Sequence, residues 1–132
     1  MGQNWDKYYA DAMSYYKTAI GSNNKGNKLG SLVMYNVISL SIENYLTAVL
    51  MKQGALPKHS GINSMIRELK GDFMAPESFI TEGRFLNKFM NFCSLDIIPQ
   101  IEPSDSDIAR MISFLEELKV WVEKGFFSSL EV

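Results

Sequence analysis

The sequence predicts an all-α fold, a single-domain up-and-down bundle of about five helices built round one long central helix. Three observations carry this. Apolar residues recur at spacings of three and four in separate segments, the period of an amphipathic helix. The stretch Leu29–Gln53, LGSLVMYNVISLSIENYLTAVLMKQ, runs for 25 residues and is apolar nearly all round when projected as a helix. The intervening segments carry Gly, Pro and Asn, and none reads as a strand with a partner to pair with.

Composition bounds the rest. A chain of 132 residues is the size of one ordinary domain and can bury a real core. Apolar residues make up 46% and charged residues 21%, which places it among folded globular chains. The net charge of -2, from 13 basic and 15 acidic residues, supplies no overall footprint for nucleic acid. The single cysteine, Cys93, sits in an apolar run and reads as a small core residue in a reducing, cytoplasmic setting. The start, MGQNWDKYY, has no apolar core of a secretory signal, and none is expected.

Trp5–Ile20 is the first predicted helix, with Trp5, Tyr8, Tyr9, Ala12, Met13, Tyr16, Ala19 and Ile20 on one face. Asn4 is its expected N-cap. The tyrosines read as core aromatics with their hydroxyls at the rim, and Tyr15 falls off the stripe as the exposed one. Gly21–Asn27, GSNNKGN, reads as a loop. With no strand before it, it is not a phosphate-cradling loop.

The central helix follows. Asn36, Ser39, Glu43 and Thr47 fall on one narrow strip of it. A membrane span is the rival reading, but Glu43 in hydrocarbon would cost at least about 2.5 kcal/mol. We expect no membrane association. Gly54 suits a left-handed cap and Pro57 blocks continuation.

A short helix is expected over Ser60–Leu69, with Ile62, Met65, Ile66 and Leu69 as its stripe, closed by Gly71. Asp72–Glu77 connects it to the next, Phe79–Leu95, which either bends at Gly83 or begins after it. Ser94–Pro103 carries two prolines and three isoleucines and reads as a loop packed onto the bundle. The last helix opens on Ser104 and Asp107, an S-x-x-D capping box, with Ile108, Met111, Ile112, Leu115, Leu118 and Val122 as its stripe. Gly125 ends it. The apolar tail Phe126–Val132 then folds back on the core or meets another chain.

Little here carries chemistry. The chain has one histidine, His59, and no acid three residues before it, so no metal site of the bundle type is expected. No cofactor is implied and no catalytic residue is assigned. Glu43 is the informative group, an acid on an otherwise apolar helix. A buried carboxylate is costly unless paired. Either Glu43 meets a base such as Arg67 or Arg84, or the strip of Asn36, Ser39, Glu43 and Thr47 lines a polar groove with His59.

The segment Ser41–Leu69, SIENYLTAVLMKQGALPKHSGINSMIREL, resembles the core of HEPN domains (higher eukaryote and prokaryote nucleotide-binding domains). Glu43 matches the family's acid in a long second helix, and Ala48–Met51 its apolar run. Gly54 and Pro57 match the linker, His59 the histidine that opens the third helix, and Leu69 the closing leucine. Lys58 and Ser60 depart from the Thr and Asp that commonly flank that histidine. Ribonuclease members also carry an Arg followed four to six residues later by His in a late helix. Here Arg67, Arg84 and Arg110 all lie after the only histidine, so that motif is absent. The resemblance implies an all-α fold and a homodimer. It also implies a partner such as a nucleotidyltransferase in a toxin–antitoxin or abortive-defence system. A non-catalytic module binding a protein, nucleotide or RNA is the expectation. The alternatives are a degenerate metal-independent ribonuclease using Glu43 and His59 with Arg67 or Arg84, and an unrelated small helical adaptor.

Overall fold

The computed structural model describes residues 5–26, 29–54, 61–89 and 102–127. Among these residues the chain is an all-α bundle: α1 (Trp5–Asn24), α2 (Ser31–Lys52), α3 (Ile62–Phe73), α4 (Glu77–Asn87), α5 (Asp105–Val122) and a π-helical turn, Glu123–Phe127. No strand occurs among them. Among the described residues no helix is long and apolar enough to cross a membrane.

Helix α2 is the centre. It buries Met34, Tyr35, Ile38, Ile42, Tyr45, Leu46, Ala48, Val49 and Leu50, residues that cover most of its circumference. It packs most extensively on α1, then on α5 and α3. The close contact with α1 follows from small side chains. Ala12 and Ala19 are fully buried, and between them the backbones approach near enough for Ser41 Oγ to donate to the Ala12 carbonyl at 2.8 Å. The tyrosines Tyr8, Tyr9 and Tyr16 pack against this core as partly buried residues. Tyr15, expected to be exposed, is half-buried.

Several helix ends differ from the sequence expectation. Helix α1 runs through Gly21 to Asn24 and turns only after that, with Gly26 at φ 83°. Gly, Ser and Asn permit a loop but do not compel one, and no proline blocks the helix here. Helix α2 starts at Ser31, behind Gly30 at φ 86°, and stops before Gly54 at φ 81°, as the left-handed cap requires. Helix α3 passes Gly71 and ends at Met74, itself left-handed at φ 61°. The extra turn sets Phe73 against Phe126, ring centres 6.3 Å apart. That contact offsets the roughly 1 kcal/mol that Gly71 costs a helix relative to Ala.

Helix α4 begins at Glu77, with Pro76 at its N-cap, and ends at Asn87. It therefore neither starts after Gly83 nor runs on unbroken to Leu95; residues 90–95 of the expected helix lie outside the described residues. Gly83 is buried inside it, where a Cβ would lie 2.6 Å from Asn63 Oδ1 and 2.9 Å from Ile66 Cδ1. Its missing side chain is what lets α3 and α4 pack closely. The loop read over Ser94–Pro103, with its isoleucines, falls largely outside the described residues, as do Asn4, Cys93 and residues 128–132.

Helix α5 opens as expected. Ser104 Oγ accepts from the Asp107 amide at 3.1 Å, and Asp107 Oδ2 accepts from the Ser104 amide at 2.9 Å. Its stripe fills the core beside Phe114, whose ring meets Phe79 at 5.3 Å. Gly125 does not end the helical run. The chain widens into the π-helical turn, and Phe126 comes back to meet Trp121 at 5.1 Å. The start of the apolar tail thus folds onto its own bundle. On the outside, Arg110 pairs with Glu82 at 2.9 and 3.1 Å and lies over the Phe85 ring, tying α5 to α4.

Candidate functional site

Helix α2 holds the four residues of the polar strip at different depths. Asn36 is exposed, Ser39 is buried, and Glu43 and Thr47 are half-buried. Thr47 Oγ1 donates to Met65 Sδ at 3.5 Å, so the strip ends in the seam between α2 and α3. Tyr35, one turn before Ser39, donates its hydroxyl to the Leu86 carbonyl at 2.8 Å and stacks against Phe89 at 6.0 Å, which ties α2 to the end of α4. Burial pushes the Tyr35 phenol up, the nearby Ser39 hydroxyl eases it down, and the Glu43 charge raises it again. Ser39 Oγ is close enough to be felt electrostatically, yet it has no hydrogen bond of ordinary geometry and is fully enclosed.

Glu43 is the chemical centre of this face. Burial raises its carboxyl above the ordinary carboxylate range, and no charge offsets that. Among the described residues the ion pairs are Lys70–Glu77, Arg110–Glu82 and Lys119–Glu123, and none involves Glu43. Arg67 and Arg84 are both exposed and neither is paired with it. His59 lies outside the described residues. Among the described residues no group of three His, Cys, Asp or Glu side chains could hold a metal ion.

What surrounds Asn36 and Glu43 is apolar. Leu32 (37% exposed), Val33 (46%) and Leu40 (38%) stand open on α2, and Leu29 (40%) just before it. Spacings of three and four put Leu32, Val33, Asn36, Leu40 and Glu43 on one side of the helix. Sequence reasoning placed Leu32, Val33 and Leu40 in an all-round core and missed their exposure. The available signal was position: Leu32, Val33 and Leu40 each lie three or four residues from Asn36 or Glu43. The arrangement can accept apolar contact along one helix face and can supply one carboxylate as a hydrogen-bond acceptor or proton carrier.

No family model matches this chain, and neither the curated proteins nor the solved structures offer a match.

Proposed function

We propose that the chain is a non-catalytic, HEPN-like helical association module, homodimeric, whose α2 face receives a protein partner. The observation that carries this is Glu43: a half-buried carboxylate, unpaired among the described residues, beside a row of exposed apolar side chains. A partner bringing a Lys, an Arg or another donor to Glu43 would gain roughly 1.5–3 kcal/mol for a charge-assisted hydrogen bond while covering Leu32, Val33 and Leu40. The same face suits RNA poorly, because a carboxylate among leucines repels phosphate and offers it no cation. A nucleotidyltransferase in a toxin–antitoxin or defence pair is the partner class that the sequence resemblance favours. RNA or a free nucleotide is the less favoured ligand.

A second reading has one observation in its favour. A carboxyl with raised proton affinity is the kind of group that acts as a general acid or base near neutral pH. Glu43 with His59 would then be a degenerate ribonuclease pair. The deciding experiment is incubation with RNA in the absence of metal, for the native chain, Glu43→Gln and His59→Ala, with sedimentation analysis of the same samples. A dimer that leaves RNA intact is expected. Cleavage lost in both variants would overturn the non-catalytic reading, and a monomer at high micromolar concentration would overturn the HEPN-like one.

A further inference from the structure

The α4–α5 end of the bundle carries a feature that the α2 face does not explain. An open apolar pocket of about 410 Å³ is lined by Pro76, Phe79, Val120 and Trp121, with Glu117 and Lys124 at its edge. Val120 is half exposed, although it lines the pocket with Phe79 and Trp121 and its helix is otherwise well covered on its apolar side. One irregularity of the chain borders the pocket and another lies two residues from it in sequence. The π-helical turn brings Lys124 and Gly125 to the pocket edge. Two residues before Pro76, Met74 is held left-handed at φ 61° with its side chain 87% exposed. A large apolar residue fixed in that backbone region is uncommon and marks a place where strain is retained.

The charges choose the occupant. Glu117 and Val120 lie three apart on one face of α5, Lys124 follows in the π-helical turn that continues it, and all three line the pocket. Among the described residues, neither Glu117 nor Lys124 makes an ion pair. The stripe therefore reads acid, apolar, base from one end to the other. Such a stripe is complementary to itself run backwards. A two-fold axis beside Val120 and Trp121 sets residue 117 of one copy opposite 124 of the other, and 120 opposite 121, because each pair lies equally far from the axis.

We infer that a second copy of this chain docks here, α5 against α5 in antiparallel orientation. Val120 of each copy seats in the other's pocket against Trp121, and Glu117 of each copy pairs with Lys124 of the other. Isologous contacts of this kind close on themselves and do not propagate into fibres. The inference rests on the homodimer in the proposed function and names the face that forms it. It also leaves Glu43 and the α2 face free for a different partner.

Sedimentation equilibrium across the micromolar range tests this, with Glu117→Lys, Lys124→Glu, the double reversal and Val120→Asp. Each single reversal turns two symmetric attractions into repulsions and weakens the dimer by about tenfold. The double reversal restores it to within about threefold of the native chain. Val120→Asp removes it, and because Val120 is exposed, the urea midpoint at low protein concentration stays unchanged. A dimer indifferent to all four variants overturns this face while the homodimer reading stands. Single reversals that weaken a dimer which the double reversal fails to recover overturn the reciprocal pairing. A native monomer overturns both readings.

Discussion

Replacing Tyr45 by Phe should make the protein more stable, contrary to the usual effect of trimming a core residue. Tyr45 lies on α2, fully buried, with its ring edge-on to Tyr9 at 6.0 Å. Its hydroxyl is enclosed and has no hydrogen-bond partner. Burial, then the Glu123 charge and the neighbouring Tyr9 and Tyr16, push the phenol far up, so it stays neutral and offers no compensating charge. Glu123 itself is taken up by Tyr9 at 3.0 Å and Lys119 at 3.0 Å. An enclosed hydroxyl without a partner forfeits about 1–3 kcal/mol of hydration. Deleting one oxygen leaves a void smaller than a water molecule, worth a few tenths of a kcal/mol at ~24 cal/mol per Å³. The net expectation is a gain of about 1–2 kcal/mol, or roughly 3–8 °C in Tm for a chain of this size. Urea unfolding at neutral pH reads it, with an unchanged m value showing that the native state has not loosened. Ser41→Ala is the control of opposite sign. That hydroxyl is buried too but bonds the Ala12 carbonyl, so its removal should lose about 1 kcal/mol. If Tyr45→Phe lowers stability by as much as Ser41→Ala, the hydroxyl is satisfied in solution, by a buried water between it and Glu123, and the reasoning fails.

Four further outcomes are expected. Ser104→Ala should cost about 1 kcal/mol through loss of the α5 cap, seen as a lower urea midpoint. The Ser104 amide and hydroxyl hold the Asp107 carboxyl below its ordinary value of 3.8, so the advantage of the native chain over Asp107→Asn is present above that pH and should fade as the pH falls through the folded value. Met74→Gly relieves a left-handed backbone and should raise stability by roughly 0.5–1 kcal/mol, and a destabilised variant would show that the methionine is held there by contacts that offset the strain. Glu43 has the opposite linkage to Asp107. Burial raises its carboxyl above the ordinary 4.5, so the folded state binds the proton more tightly, and the stability it contributes is present below 4.5 and lost as the pH rises through the folded value. The gain from Glu43→Gln should therefore be larger at pH 7 than at pH 4, and a gap that widens on acidification would contradict the burial of this group.

Local pattern was enough to determine the all-α class, the five helical segments, the buried central helix and the Ser104–Asp107 cap. Each depends on residues within a turn or two of one another, and periodicity and capping chemistry are local properties. Glu43 stood out for the same reason, as the lone acid on an apolar helix. Tertiary packing decided the rest. Gly71 and Gly125 read as helix stops, yet Phe73 and Phe126 find each other across the bundle and draw both helical runs onward. Gly83 read as a weakness, but its lack of a Cβ lets α3 and α4 pack closely. Leu32, Val33 and Leu40 read as core and stand exposed, while Ser39, read as part of a polar strip, is enclosed. A helix that is apolar all round does not encode which of its sides its neighbours will cover, because that depends on where distant segments come to rest.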